Sequence, residues 1–396
     1  MAAVPTDRDS VLDATKAIVD RVAANAAAGE TARRLEPDSV AAMKQAGIWR
    51  ILTPSRFGGS ELDLRTHFET IAILAEAHPS AGWLELVTGA HTYLLGSWPE
   101  VCQEEVFADD PDVVVPGTLA AQGAARDVDG GWTVSGRWQF CSGIDHGKWV
   151  MVGAARENGS AQADPGANLV HVVLPKEDVT VDDTWYVMGL RATGSKDIVL
   201  DDVFVPEHRG IASNHLLAGS SPHATIHDTN LYRLPLAVVL GMMLSAAHLG
   251  IANRTLRLHL DRTRVRSDVY TKTSTAEKAG QQMRVAESSA EIMSAELLLL
   301  GVCDQLAEIA QSGELATFDQ RVQLKWQIVY GSELCRRATE RIFRAAGAHG
   351  IYDKAEIQGA FRDMNTACHH ALVDFDSMAE AFGRVSLGLD PGPGIV

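Results

Sequence analysis

The sequence predicts an α+β fold in three domains. An N-terminal α-helical domain takes residues 1–111, a central antiparallel β-barrel-like domain takes 112–215, and a C-terminal four-helix bundle takes 216–396. Three patterns along the chain predict this division. Apolar residues recur at helical spacing in the first part, β-branched and aromatic residues alternate with polar ones in the middle, and long helical repeats fill the remainder.

The N-terminal part has the spacing of amphipathic helices. Val11, Thr15, Ile18 and Val22 recur at intervals of three and four residues, which places them on one face of a helix. Asp63 precedes a second periodic run and can accept hydrogen bonds from the free amides of a first helical turn. These features predict packed helices up to about residue 108.

The middle of the chain has the pattern of a half-buried sheet. Trp132, Val134 and Trp138 alternate with polar residues directly after the Asp129–Gly131 turn. Alternation of this kind after a Gly-rich turn is typical of a β-hairpin. Similar runs at 149–154, 169–174 and 198–205 predict further strands.

Four long helical repeats predict the C-terminal bundle. They lie at about residues 234–260, 276–310, 319–346 and 357–389, and short breaks join them, as in antiparallel bundles. The most apolar segment, 234–247, is shorter than the roughly 20 residues that a membrane span needs. We therefore expect a buried helix and no membrane association, and the N-terminus has no apolar segment typical of a secretory signal.

Charge and cysteine content argue against several classes of protein. The chain has 35 Lys and Arg residues against 51 Asp and Glu, a net charge of −16, whereas nucleic-acid binding needs clustered positive charge. The five cysteines include no Cys-x-x-Cys pair, which predicts neither a disulfide framework nor a zinc site. We expect no metal, no nucleic-acid partner and a location in the reducing cytoplasm.

Four short motifs occur in an order that resembles the acyl-CoA dehydrogenase superfamily. They are Trp138–Gly143, Met188–Ser195, Val203–Pro206 and Phe361–Asp363. The resemblance implies the acyl-CoA dehydrogenase-like fold of helices, β domain and four-helix bundle. Within the superfamily, the chain is similar to the flavin-dependent monooxygenases that act on p-hydroxyphenylacetate, dibenzothiophene and steroid phenols.

The residue that would serve as catalytic base separates two branches of that superfamily. In one large subgroup of dehydrogenases, a carboxylate follows the Arg-Asp pair at a fixed interval, and counting from Arg362 reaches Ala371. Alanine cannot abstract a proton, although other dehydrogenases carry the base on another helix. The monooxygenase branch has a histidine at the position of His370, which favours that branch.

The resemblance implies the oxygenase component of a two-component flavin-dependent monooxygenase. It would use reduced flavin, FMN or FAD, and O2 through a C4a-hydroperoxyflavin to hydroxylate a small aromatic or polyketide-like substrate. No Gly-x-Gly-x-x-Gly motif follows a strand, so a separate flavin reductase would supply the reduced flavin. The family also implies a homotetramer, with a dimer as the second choice.

Other functions remain open at this point. An FAD-containing acyl-CoA dehydrogenase with its base elsewhere is one alternative. An N- or S-oxygenating member of the same branch is another. A helical scaffold that has lost catalysis is a third, because a fold alone does not establish activity.

Three residues are the predicted catalytic groups. Ser142 matches the family hydroxyl beside flavin N5, although a serine that opens a turn before Gly143 is equally consistent with the local sequence. His370 is predicted as base or hydrogen-bond donor toward the peroxide and the substrate, because imidazole titrates near neutral pH. His91 resembles a second family histidine, although a single helical histidine is more often structural.

The resemblance also implies a set of flavin-binding residues. They are Trp138, Phe140, Ser142, Arg191, Thr193, Ser195, Arg262 and Arg264. The two arginines of the bundle would meet the flavin phosphate through charge pairing. A Gly-containing turn around residue 194 and a solvated basic helix end are the structural alternatives.

Overall fold

The computed structural model describes residues 5–157, 165–268 and 272–392. In these ranges the chain forms twelve α-helices and one seven-stranded sheet. The helices are α1 Arg8–Ala24, α2 Ala26–Ala32, α3 Pro37–Gln45, α4 Leu64–Ala77, α5 Pro79–Leu95, α6 Glu100–Phe107, α7 Ser213–Ala218, α8 Leu236–Val265, α9 Ala279–Ser312, α10 Phe318–Ala345, α11 Glu356–Ala367 and α12 Phe375–Ser386.

The seven strands form an open mixed sheet, so the predicted antiparallel barrel is not confirmed. The strands are β1 Gly117–Val128, β2 Gly131–Cys141, β3 Trp149–Arg156, β4 Leu169–Pro175, β5 Thr180–Asp182, β6 Lys196–Pro206 and β7 Gly210–Ala212. Their order is β5-β6-β2-β1-β3-β4-β7. β1 and β3 pair in parallel, while the other neighbours are antiparallel. Alternating apolar residues predict a strand but do not define the direction of its partner.

The predicted hairpin is confirmed. β1 and β2 pair from Val128 and Gly131 onward, and Gly130 takes a positive φ of 77° at the turn, where a side chain would be strained. Trp138 on β2 lies in the sheet core with no exposed surface, and its indole N–H donates to the Gly153 carbonyl at 2.7 Å. The sheet therefore buries the tryptophan that the family resemblance assigned to the cofactor.

The predicted three-domain division is not confirmed as such. The N-terminal helices and the bundle helices bury their apolar side chains in one continuous core, which includes Trp49, Tyr93, Met242 and Leu299. The sheet has a separate core around Trp138. Shared burial makes the first and third parts one packing unit, and the boundaries at 111 and 215 stay a prediction.

The central helix of the bundle is α8. By length and composition it could cross a membrane, but 89% of its most apolar window is buried inside the protein. It packs against α4, α5, α10 and α11. Its apolar residues are therefore used in the shared core, as expected for residues 234–247.

The last predicted bundle helix is interrupted. Instead of one helix over residues 357–389, α11 ends at Ala367 and α12 begins at Phe375, with a short 3-10 helix at Ala371–Val373 between them. His370 has an extended backbone, with φ −72° and ψ 127°, at the start of this 3-10 helix. The break was not expected from periodicity, because the apolar spacing continues across it.

Candidate functional site

Three of the predicted residues form a buried chain of hydroxyl groups. The Ser142 Oγ lies 2.7 Å from the Ser195 Oγ, and the Ser195 Oγ lies 2.7 Å from the Thr193 Oγ1. The Thr193 hydroxyl donates to the Leu190 carbonyl at 2.8 Å. Ser142, Thr193 and Ser195 are each at most 4% exposed. The structure therefore brings Ser142, Thr193 and Ser195 together, although 53 residues separate the two serines.

The end of β2 places Ser142 against the loop before β6. Phe140 takes a positive φ of 66°, which is uncommon for a non-glycine residue, and the Gly143 amide donates to the Thr193 carbonyl at 2.8 Å. Phe140 is 60% exposed and contacts Trp185 edge to face. This backbone kink turns the Ser142 hydroxyl inward and leaves an aromatic ring at the surface beside it.

Two residues of helix α11 form hydrogen bonds with the loop before β6. The Asp363 carboxyl group accepts a hydrogen bond from the Leu190 amide at 2.6 Å, and the Arg362 guanidinium donates to the Met188 carbonyl at 2.7 Å. A Cβ at Gly189 would lie 2.3 Å from the Arg362 carbonyl oxygen, so glycine is required by the close approach. Burial raises the pKa of Asp363 to about 7. Two family motifs thus meet in one contact.

Helix α5 lies between the hydroxyl chain and the helix break. The ring of Trp83 lies 6.3 Å from the ring of His370, and Leu84 fills the space above Gly143. Leu84 and His91 are seven residues apart, about two turns, and so share one face of α5. One helix therefore contacts the parts of the chain that carry Ser142 and His370, and also carries His91.

His91 is buried, and its hydrogen bond defines its tautomer. The Nδ1 atom lies 2.6 Å from the Val115 carbonyl oxygen, which can only accept, so Nδ1 carries the hydrogen. Burial lowers the pKa of His91 to about 4, so the ring is neutral near pH 7. Its Nε2 atom then has a lone pair and can accept a proton or a hydrogen bond.

His370 has the opposite tautomer. The Leu372 amide donates to the Nδ1 atom of His370 at 3.2 Å, so a neutral ring carries its hydrogen on Nε2. Desolvation by the surrounding protein, then the ammonium of Lys325, lower the pKa of His370 to about 4. An open cavity of about 740 Å³ lies beside the ring. His370 can therefore donate a hydrogen bond from Nε2.

Lys325 on α10 is a site residue that the sequence analysis missed. It is 2% exposed, and among the described residues its hydrogen bond goes to the Leu372 carbonyl at 2.7 Å. Burial lowers the pKa of Lys325 to about 8. Leu372 is thus held at its carbonyl by Lys325 and at its amide by His370. The available signal was a lysine among Val322, Val329 and other buried positions of an amphipathic helix.

The structure does not bring Arg262 and Arg264 to the cavity beside His370. Arg262 is partly buried at the end of α8, and Arg264 is exposed and paired with Asp261. They lie 14 and 16 residues beyond His248, which lines the cavity beside His370, and so roughly 20 Å along the helix. Arg191 begins the short 3-10 helix that contains Thr193, and its Nε atom is buried without a hydrogen-bond partner among the described residues.

Known proteins resemble this chain over nearly its whole length. A family model described as acyl-CoA dehydrogenase, C-terminal domain, matches residues 242–375. A pigment production hydroxylase of a Rhodococcus species is 32% identical over 96% of this chain and 97% of that protein. The flavin-dependent monooxygenase oxygenase subunit HsaA of Mycobacterium tuberculosis is 31% identical over 98% of both chains.

Solved structures show the same extent of similarity. The crystal structure of the HsaA monooxygenase from M. tuberculosis matches with a TM-score of 0.91 and 29% sequence identity, covering 98% of this chain and 100% of that chain. XiaF from a Streptomyces species, solved in complex with FADH2 and glycerol, matches with a TM-score of 0.89 and 26% identity, covering 97% and 96% of the two chains.

The buried Asp363 carboxyl predicts a pH dependence of stability. Its folded pKa of about 7 lies above the unfolded value of about 4. Between these values the unfolded chain releases the proton and the folded chain keeps it, so this group's contribution to stability is lost as pH rises from 4 to 7. Asp363→Asn, which keeps an accepting oxygen, should gain stability over wild type as pH rises, by at most about 1.4 kcal/mol per pH unit.

Urea unfolding of both proteins from pH 5 to 8 measures this difference. Asp374→Asn is the matched control, because the Asp374 side chain accepts from Ser377 at a helix start and its pKa is lowered. The difference in stability between Asp374→Asn and wild type should not vary with pH in this range, because the Asp374 carboxyl stays ionised. A constant difference between Asp363→Asn and wild type would contradict a buried, protonated carboxyl.

Proposed function

Because the chain belongs to the flavin-dependent monooxygenase oxygenase components with an acyl-CoA dehydrogenase-like fold, we propose that it hydroxylates a small phenolic substrate. It is an oxygenase that depends on reduced flavin. We further propose that a separate reductase supplies this flavin as FMN or FAD. The structural observation that supports the proposal most directly is the buried hydroxyl chain, which lies beside the helix that contacts His370 and carries His91.

The residues of the site fit a flavin. Ser142 and its hydroxyl partners offer polar atoms to the ring nitrogens, and exposed Phe140 offers an aromatic surface beside them. The buried Nε of Arg191 has no partner among the described residues, which fits a ligand oxygen nearby. Arg262 and Arg264 remain candidates for the flavin phosphate. Trp138 is buried in the sheet core, so its effect on the flavin would be indirect, through the position of β2.

Bound reduced flavin would supply two electrons to O2, so that one oxygen atom enters the substrate, the other leaves as water, and the flavin is left oxidised. The tautomers of the two histidines support a division of roles. The Nε2 lone pair of His91 can accept a hydrogen bond from a phenolic hydroxyl, and the Nε2 hydrogen of His370 can be donated to a developing negative charge. In this proposal His370 is the hydrogen-bond donor and His91 the hydrogen-bond acceptor.

The dehydrogenase alternative has less support. Ala371, where one subgroup places its carboxylate, lies in the helix break and has no acid-base group. Of the three carboxyl groups that line the cavity beside His370, Glu333 pairs with Arg336, Asp374 accepts the Ser377 amide, and Asp376 is exposed to solvent. None of them is a buried, unpaired carboxylate.

Assembly and location are also proposals. Met293 and Leu297 of α9 share one helix face and are more than half exposed, which supports burial against another subunit in a homotetramer. The five cysteines are free thiols, which supports a reducing compartment, the cytoplasm. The boundaries 1–111, 112–215 and 216–396 remain our proposed division of the chain.

Oxygen uptake tests the proposed function. The purified chain, a generic NADH-dependent flavin reductase and FMN or FAD should consume O2 and form hydroxylated product with some members of a panel of phenols. A panel of amines and sulfides tests the N- and S-oxygenating alternative. A protein that purifies yellow with tightly held FAD and oxidises acyl-CoA would contradict the proposal.

The two neighbouring histidines give a matched pair of variants. His370→Ala removes the Nε2 donor and should lower hydroxylation by roughly 100-fold or more, in the range for loss of an acid-base group. His369→Ala should have little effect, because the ring that lies beside Trp83 of α5 is that of His370, whereas the His369 ring bonds to the Asn365 carbonyl of its own helix. The rate of product formation separates the two variants. Flavin affinity is the control and should be similar in both. Equal activities of both variants would remove His370 from the site.

Light scattering tests the assembly. The chain of 42.6 kDa should elute with the mass of four copies at micromolar concentration. Met293→Glu together with Leu297→Glu should lower that mass if α9 is covered by another subunit, since burying charge in an apolar interface is unfavourable. A monomeric mass for the unmodified chain would rule out the proposed assembly.

A further inference from the structure

The hydroxyl chain has a direction that proton counting defines. A carbonyl oxygen only accepts, so the single hydrogen between Thr193 and Leu190 belongs to Thr193. The hydrogen between Thr193 and Ser195 must then come from Ser195, and the hydrogen between Ser195 and Ser142 must come from Ser142. Every hydroxyl hydrogen of the chain therefore points away from Ser142 toward Leu190.

The direction leaves Ser142 with accepting capacity only. A serine hydroxyl has one hydrogen and two lone pairs, and the hydrogen of Ser142 is used toward Ser195. Burial of Ser195 and Thr193, at most 3% exposed, removes solvent as an alternative partner for the two inner hydroxyls. Ser142 should therefore prefer a ligand atom that donates a hydrogen.

We propose that this one-way chain makes Ser142 an acceptor and thereby selects reduced flavin, whose N5 carries a hydrogen, over oxidised flavin, whose N5 does not. The inference rests on the proposed function, because it takes Ser142 as the neighbour of flavin N5. Ser195 and Thr193 act through Ser142 and are positioning residues. The preference favours entry of the reduced form and release of the oxidised form after each turnover.

The loop around Leu190 holds the far end of the chain. The Leu190 carbonyl also accepts from the Trp185 indole at 3.3 Å, and the Leu190 amide is held by Asp363 at 2.6 Å. Leu190 itself has a positive φ of 51°. Trp185 and Asp363 therefore hold the Leu190 peptide in place. Reversing the direction of the hydroxyl hydrogen bonds would require breaking hydrogen bonds at a buried site.

The test is the ratio of dissociation constants for oxidised and reduced flavin, measured anaerobically by calorimetric titration with the full chain. Ser195→Ala removes the acceptor for the Ser142 hydrogen, which can then turn toward the N5 lone pair of oxidised flavin. The ratio should fall by about tenfold, the order of one hydrogen bond. Thr193→Val, which keeps the side-chain shape, should lower the ratio in the same direction.

Two control variants keep the chain intact. Thr193→Ser preserves the hydroxyl and should leave the ratio unchanged. Ser97→Ala removes another buried hydroxyl that donates to a carbonyl, that of Tyr232, and should also leave it unchanged. An unchanged ratio in Ser195→Ala and Thr193→Val would overturn the inference, even if both flavin forms bound more weakly by the same factor. If the wild-type chain does not bind reduced flavin at all, the proposed function fails instead.

Discussion

The hydrogen bond from the Leu190 amide to the buried Asp363 carboxyl is the contact on which the site depends. It joins a bundle helix to a loop of the sheet region and holds Leu190 in a left-handed conformation. The Leu190 carbonyl then receives the last hydrogen of the hydroxyl chain that begins at Ser142. Burial opposes ionisation of Asp363 and raises its pKa to about 7, at a position where its oxygen accepts the Leu190 amide.

The break between α11 and α12 follows the same rule for buried polar groups. An interrupted helix leaves backbone amides and carbonyls without helical partners, and each needs a replacement. At Leu372 the amide donates to His370 and the carbonyl accepts from Lys325. The hydrogen bond from the Leu372 amide also defines the tautomer of His370. Burial keeps His91 neutral, and its hydrogen bond to the Val115 carbonyl gives it the opposite tautomer. Donor and acceptor roles therefore come from backbone contacts.

Much of the fold could be predicted from the sequence. Helical spacing located α8, α9 and α10 to within a few residues, and the turn before Gly131 located the first hairpin. The parallel pairing of β1 with β3 could not be predicted, because alternation of side chains is the same in both directions. The helix break was missed because apolar spacing continues through it. The core shared by N-terminal and bundle helices depends on long-range packing.

The sequence by itself determined the family and the residue types of the site: Ser142, Thr193, Ser195, His91 and His370 all stood out as candidates. Only the tertiary structure decided that the hydroxyls form one chain, that Trp138 lies in a core, and that Lys325 is buried beside the helix break. The direction of a hydrogen bond depends on which partners lie within reach. Here those partners come from segments up to 173 residues apart, and no local pattern records their approach.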